Sequence, residues 1–396
     1  MAGSQVLMNT YNRIPVDFVR GEGSWLIDAE GKRYLDAISG IAVCALGHSH
    51  AGFIKAVQDQ VATLVHTSNL YGVPLQKQLA EKLCGMSGMD RVFFCNSGAE
   101  ANEAQIKLAR MFGHSKGINV PGIIVMEGAF HGRTMGALTA THSNRHQNGF
   151  APFLDGFYRV PFNDIAAVAK MINSHDNIVA VLVEPIQGEG GVVMPSADYL
   201  TDLRHLCDEH DMLLMLDEVQ TGNGRTGRYF AYQHNNILPD VLSTAKGLGN
   251  GFPIGACLAQ GRAAEIFQPG HHATTFGGSP LACAAALAVI DAIVAENLLE
   301  NATVMGDRIK FGLSLRLKDA AHVKAVRGKG LMIGIELDQP CAELTARALE
   351  QGLLINVTAD RTIRLLPPLI LSDDDARHLV DGVVRLINEL TELTAR

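Results

Sequence analysis

The sequence predicts an α/β fold on a mainly parallel sheet, and three features carry that expectation. Short apolar runs that fit buried strands alternate with helical segments between about residues 90 and 260. Residues 212–216 are unbroken in apolar side chains, as a strand covered on both faces must be, and the run ends abruptly at Asp217 and Glu218. A second short run, residues 240–244, ends in Ala245-Lys246 and the glycine-rich GLGNG. Ligands of open α/β sheets bind beyond the carboxyl ends of the strands, so an acid and an amine are expected on one ligand-facing edge.

Bulk properties narrow the function. A chain of 396 residues is long for one core and suggests two domains. With 47% hydrophobic and 19% charged residues it reads as globular, and a net charge of −8 with no basic stripe argues against nucleic acid or an anionic membrane as partner. Seven dispersed cysteines, never in a C-x-x-C pair, read as buried thiols in a reducing compartment. The longest apolar run, residues 281–290, is too short to span a bilayer and no signal peptide is legible, so a cytoplasmic location is expected.

In chain order, SWLIDAEGKRYLD reads as a strand pair around an Asp28–Gly31 turn that must pack on something else. His48 and His50 have metal-like spacing but no acid or cysteine cluster beside them, and a structural role is expected. A helix begins at Pro74, and a strand at residues 91–95 turns through Asn96, Ser97, Gly98 and Ala99 into a helix reaching Phe112. The start of that helix is an anion site by its free N–H groups and dipole, although Ser97 is equally an ordinary N-cap. A strand at residues 123–126 delivers Phe130 and Arg133, a flat face and a carboxylate fork; core filling and a surface ion pair are the alternatives.

A strand at residues 178–183 leads into EPIQGEGG, where glycines around Glu189 imply a mobile or sharply turned loop, and a helix follows at residues 197–210. Residues 222–227 match G-x-G-x-x-G, yet DEVQT separates them from the strand and no crossover helix follows, which argues against a dinucleotide fold. Beyond Lys246 come a strand at residues 254–259, Thr274-Thr275-Phe-Gly-Gly, and an alanine-rich helix from Pro280. The remainder reads as α+β: a helix to Arg316, a strand at 331–337, a helix at 341–351, strands at 354–357 and 362–366, and a helix from Asp373.

A strand-end lysine facing a strand-end acid suits pyridoxal phosphate. The amine condenses with the cofactor's aldehyde, and the acid keeps the ring nitrogen protonated. Taken alone, Lys246 is also an ordinary lysine after a strand.

Ten blocks change that balance: TYNRIPVDFVRGEG, YLDAISGIAV, HTSNLYG, FFCNSGAEANEAQIKLAR, AFHGRT, VEPIQGEGG, LDEVQTGNGRTG, STAKGLGNG, TTFGGSPLA and IRLLPP. In these, and in their order, the chain resembles the class III (subgroup II) aminotransferases over nearly its whole length. The resemblance implies the type I fold of pyridoxal-phosphate transferases. A large domain would span residues 51–298, and a small α+β domain would be assembled from residues 1–50 and 299–396. It implies a homodimer with a shared active site and no metal.

Lys246 would carry the cofactor, Asp217 would face its ring nitrogen, Phe130 and Val219 would cover its two faces, and Gln220 would lie near its edge. Ser97, Gly98 and Ala99 would hold the phosphate, with Thr275 reaching across from the other subunit. Arg133, Thr274 and Tyr11 would contact substrate, and Arg364 would take the second carboxylate of glutamate unless masked by Glu189. The substrates implied are N2-acetyl-L-ornithine and 2-oxoglutarate, with N-acetyl-L-glutamate 5-semialdehyde and L-glutamate as products, a step of arginine biosynthesis. Succinylornithine, succinyldiaminopimelate, ornithine and 4-aminobutyrate are the competing donors; Ile41, where ornithine δ-aminotransferases carry tyrosine, disfavours ornithine. Ala51, Asn223, Ala273 and Ser279 depart from the family pattern without removing a charge.

Overall fold

The computed structural model of the protein describes residues 6–142 and 144–394. Among them, a central sheet of seven strands runs in the order Arg91–Cys95, Gly255–Ala259, Val241–Thr244, Leu213–Asp217, Ile178–Val183, Gly122–Met126, Phe157–Val160. Neighbours are parallel except at Gly255–Ala259, which is antiparallel to both strands beside it. Every residue of Ile178–Val183 and Leu213–Asp217 is buried, which is why these runs show no alternation. The helix Gly98–Ser115 packs across one face of the sheet, laying Ala101, Ala104, Leu108 and Ala109 against it.

The opening strands Phe18–Glu22, Trp25–Asp28 and Arg33–Asp36 form an antiparallel sheet, completed by Leu353–Leu354, which lies parallel to Arg33–Asp36. A third sheet joins Val323–Lys329, Met332–Leu337, Thr362–Leu365 and Asn356–Thr358. The N-terminal and C-terminal segments therefore share a sheet. Of the stretches expected to form the small domain, residues 1–5 and 395–396 lie outside the described residues. The single strand expected at 354–357 is in fact divided at Ile355, with its two halves in different sheets. Apolar patterning does not reveal that switch, because Leu353, Leu354 and Ile355 are all buried. The helix Ala51–Thr63, the strand Phe157–Val160 and the helix Ile165–Ser174 were not among the expected elements.

Both early histidines are structural. His48 Nε2 meets Asp36 at 2.9 Å; His50 Nε2 meets Glu296 at 2.8 Å and its Nδ1 caps the helix at Phe53 N–H. The G-x-G-x-x-G stretch is a turn with positive φ at Asn223, Gly224 and Gly227, followed by the 3-10 helix Ala231–His234 and not by a crossover helix. Cys95, Cys207, Cys257, Cys283 and Cys341 are buried free thiols, and Cys44 and Cys84 are half-buried. Among the described residues, no single helix is long and apolar enough to cross a membrane.

Candidate active site

The strand order brings chemistry to the carboxyl edge of the central sheet. Arg91–Cys95 ends at Ser97, Gly122–Met126 leads to Phe130, Ile178–Val183 ends at Glu184, Leu213–Asp217 ends in Asp217, and Val241–Thr244 ends at Lys246. The antiparallel strand begins at this same edge with Ile254 before it. A cavity of about 400 Å³ opens there, and all of these residues line it.

Lys246 sits in a backbone conformation that lysine rarely adopts, with φ at +44°. Such strain costs on the order of 1–3 kcal/mol and persists only where surroundings impose it. Part of that imposition is Asn223, which is buried. Its Nδ2 donates to Thr244 Oγ1 at 2.9 Å and to Ala245 O at 3.0 Å, clamping the chain just before the lysine. Burial holds the Lys246 amine below the usual lysine range. Glu189 opposes that shift, Arg364 adds to it, and Asp217 and Glu184 oppose it. The shift is toward the unprotonated, nucleophilic amine.

Asp217 is 4% exposed and fully engaged. Asn102 Nδ2 donates to its Oδ2 at 2.7 Å, His131 Nδ1 lies 2.8 Å from the same oxygen, and Val219 N–H donates to Oδ1 at 3.0 Å. The Asn102 amide is oriented by Ser243 Oγ and Gln105 Nε2, which donate to its Oδ1 at 2.7 and 2.9 Å. Burial disfavours a charged His131, but the hydrogen bond and charge of Asp217, with the charge of Glu184, outweigh it and raise its pKa. Asn102, His131, Ser243 and Glu184 were not singled out from sequence. The signal for His131 lay inside AFHGRT, between Phe130 and Arg133.

At the other end of the cavity, Ser97 caps the long helix by accepting from Glu100 N–H at 3.2 Å, and Ser97 O accepts from Ala101 N–H. The N–H groups of Gly98 and Ala99, the first in the helix, have no intrahelical acceptor and border the cavity. A Cβ on Gly98 would lie 2.6 Å from Val219 Cγ1, so only glycine lets this turn approach Val219. Phe130 lies under Arg133, whose guanidinium carbon is 5.6 Å from the ring centroid. Free amides at one end, an oriented acid at the other, an aromatic and a valine side chain, and a lysine of lowered pKa form a set that fits pyridoxal phosphate.

Ser97, Gly98, Ala99, Phe130, Arg133, Asp217, Val219, Gln220 and Lys246 line this cavity together. Glu189 and Arg364 adjoin it through Gln220. Arg364 Nη1 donates to Glu189 Oε1 at 2.6 Å and to Gln220 Oε1 at 3.2 Å, and its Nε donates to Asn356 Oδ1 at 2.9 Å. Burial would raise the Glu189 pKa, but the charge and hydrogen bond of Arg364 lower it overall, helped by Lys246. The EGG loop is sharply turned, with Gln187 and Val193 bridged across it. Thr274 and Thr275 are not on this cavity; they line a separate open one of about 790 Å³ with His66 and His272. Tyr11 is 72% exposed on the N-terminal segment, where Arg13 lies over its ring, and it does not border either cavity.

Fold and site together define an enzyme of pyridoxal-phosphate chemistry with a lysine and an acid on adjacent strand ends. Comparison with known proteins gives the family. Residues 6–387 match the family described as aminotransferase class-III, and the chain belongs to it. The acetylornithine aminotransferase of Nitrosomonas europaea is 54% identical over 386 residues, covering 98% of each chain, and that of Gloeobacter violaceus is 51% identical over 96% of each. Among solved structures, the ornithine aminotransferase of Toxoplasma gondii superposes with a TM-score of 0.95 at 32% identity, over 98% of this chain and 94% of that one. The acetylornithine aminotransferase of Elizabethkingia anophelis gives 0.86 at 35% identity over 96% of each. A second structure of the Toxoplasma gondii enzyme has pyridoxal phosphate at partial occupancy in its active site. The protein is thus a pyridoxal-phosphate-dependent aminotransferase that acts on small molecules.

Proposed function

We propose that the enzyme moves the terminal amino group of N2-acetyl-L-ornithine to 2-oxoglutarate, giving N-acetyl-L-glutamate 5-semialdehyde and L-glutamate. The Arg364–Glu189 pair beside the Lys246 cavity carries this reading. A donor reacting at its terminal amine brings an apolar chain past Arg364, and there Glu189 neutralises the guanidinium. Glutamate reacts at its α-amine and brings a carboxylate to the same place, which Arg364 takes once Glu189 moves aside. Ile41, exposed at the turn that carries Val43 into the cavity, offers no hydroxyl for the α-carboxylate of free ornithine. The names of the curated relatives compared above support the same choice.

Bound pyridoxal phosphate supplies an electron sink for the charge left on the substrate carbon when its proton is removed. The chain's residues do the rest. Lys246, with its pKa lowered, would take that proton and return one to the carbon on the other side of the transferred nitrogen. Asp217, held by Asn102, His131 and Val219, keeps a negative charge at the ring-nitrogen end. Gly98 and Ala99 N–H groups, with Ser97, receive the phosphate, and Phe130 and Val219 bracket the ring with Gln220 at its edge. Arg133 receives the distal carboxylate of either substrate.

A homodimer fits the same reading. The Thr274–Thr275 cavity is open in the single chain, and the second protomer would bring Thr275 to the phosphate and Thr274 and Tyr11 toward substrate. A cytoplasmic location accords with its free thiols. Initial rates with acetylornithine, succinylornithine, ornithine and 4-aminobutyrate against 2-oxoglutarate test the assignment. Acetylornithine is expected to have the highest kcat/KM, and a preference for ornithine or 4-aminobutyrate would overturn it.

A further inference from the structure

Glu184 has no part in the proton transfer above, yet it is only 6% exposed and sits at a strand end beside Asp217. The parallel register pairs Val183 with Leu216, so the next residues, Glu184 and Asp217, are neighbours across the two strands. Two buried carboxylates side by side are costly unless each has specific partners. Those of Glu184 are two backbone amides from different loops. Phe130 N–H donates to Oε2 at 3.0 Å, and Gly188 N–H donates to Oε1 at 3.2 Å.

We propose that Glu184 is a positioning residue whose two carboxylate oxygens tie the loop bearing Phe130 and Arg133 to the loop bearing Glu189, setting the substrate-binding groups of both as one unit. The roles of Arg133 and Glu189 rest on the proposed function; the tie itself does not. Ionised, the carboxylate gives each N–H donor its own oxygen, whereas a glutamine would set its NH2 against one of them. Burial pushes the Glu184 pKa up to about 7; the charge of His131 lowers it, the charge of Asp217 adds to the rise, and the two amide donors lower it. His131 is buried and hydrogen-bonded to Asp217; burial disfavours its charge, but the bond and charge of Asp217 and the charge of Glu184 raise its pKa overall.

The tie extends beyond the two loops. A Cβ on Gly188 would lie 2.3 Å from Gln220 Oε1, so the Gly188 backbone is pressed against the amide that accepts from Arg364. Displacing Gly188 therefore moves Gln220, and with it one contact of the arginine. Gln187 Nε2, donating to Glu127 O at 2.7 Å, holds the loops together independently, so loss of Glu184 should loosen them locally without unfolding them.

Hydrogen exchange of the cofactor-loaded enzyme, read by mass spectrometry, tests this directly. In Glu184→Ala both segments, residues 128–133 and 186–191, should exchange faster by about tenfold, the loss expected for one hydrogen bond each, with the rest of the chain unchanged. In Glu184→Gln, whose single carbonyl serves only one donor, one of the two segments should loosen and the other stay protected. In steady state both variants should raise KM for acetylornithine and for glutamate more than they lower kcat, because positioning is lost while Lys246 remains. Unchanged exchange in both segments, or faster exchange throughout the chain, would overturn the proposal. If Glu184→Ala fails to fold, Glu184→Gln decides alone: one loosened segment supports the tie, and none refutes it. Because exchange does not depend on turnover, an error in the substrate assignment would show only in the rate panel.

Discussion

Glu189→Gln isolates the charge of the Arg364 pair, since glutamine keeps the shape and one acceptor oxygen. Arg364 is wholly buried, Glu189 is its only carboxylate partner among the described residues, and its Nη2 has no hydrogen-bond partner there. Removing the negative charge leaves a buried guanidinium held only by the neutral oxygens of Asn356, Gln220 and the new amide. Truncating one partner of a buried, hydrogen-bonded charge pair costs about 2–5 kcal/mol. Here the Glu189 side chain is 30% exposed, so water offsets part of the loss and the lower end applies. About 2 kcal/mol is roughly a thirtyfold fall in kcat/KM for acetylornithine, whose apolar chain must pass the uncovered cation.

Glutamate brings its own carboxylate, so its half-reaction should stay within about twofold of wild type. Single-turnover absorbance separates the two, because each half-reaction converts one coloured form of the cofactor into the other. Equal losses in both half-reactions would refute the switch and leave Glu189 a structural acid.

Lys246→Ala should abolish turnover, and borohydride should fix the cofactor onto the Lys246 peptide of the wild type; labelling at any other lysine would contradict the site. Gly98→Ala should weaken cofactor binding by about tenfold in a fluorescence titration, since the added methyl drives Val219 toward the cavity; unchanged affinity would mean that the turn relaxes elsewhere. Burial pushes Glu218 from the ordinary 4.5 up to about 7, against the donors Thr221, Ala231 and Tyr232. Its folded pKa lies above its unfolded one, so its contribution is fully present below about 4.5 and is lost as pH rises through about 7, on the order of 3 kcal/mol. Glu218→Gln can still accept from Tyr232 N–H and donate to Thr221, so it should gain stability relative to wild type at pH 8 over pH 5 in urea melts. An identical pH dependence in the two proteins would refute a buried titrating acid at this position.

How much of this was written in the sequence depends on how far apart the cause and its effect lie along the chain. The strands Ile178–Val183 and Leu213–Asp217 were legible because a strand covered on both faces must be apolar at every position, a local requirement. The cap at Ser97 and the start of the helix at Gly98 were legible for the same reason, since a cap acts within one turn. Lys246 and Asp217 could be placed on one edge because strand ends in a parallel sheet share a side. The pairing of Glu189 with Arg364, 175 positions apart, came from resemblance and not from any local pattern.

Only the tertiary structure surrounded Asp217 with Asn102, His131 and Ser243, because those bonds depend on which strands are neighbours and in what register. The positive φ of Lys246 and its clamp by Asn223 have no local signature either, since lysine does not choose that conformation unless remote contacts impose it. The sheet switch at Ile355 was hidden because burial looks the same whichever sheet provides it. Burial is a property of each residue and shows in its type. Hydrogen-bond direction across a sheet is a property of pairs, and only folding decides which pairs meet.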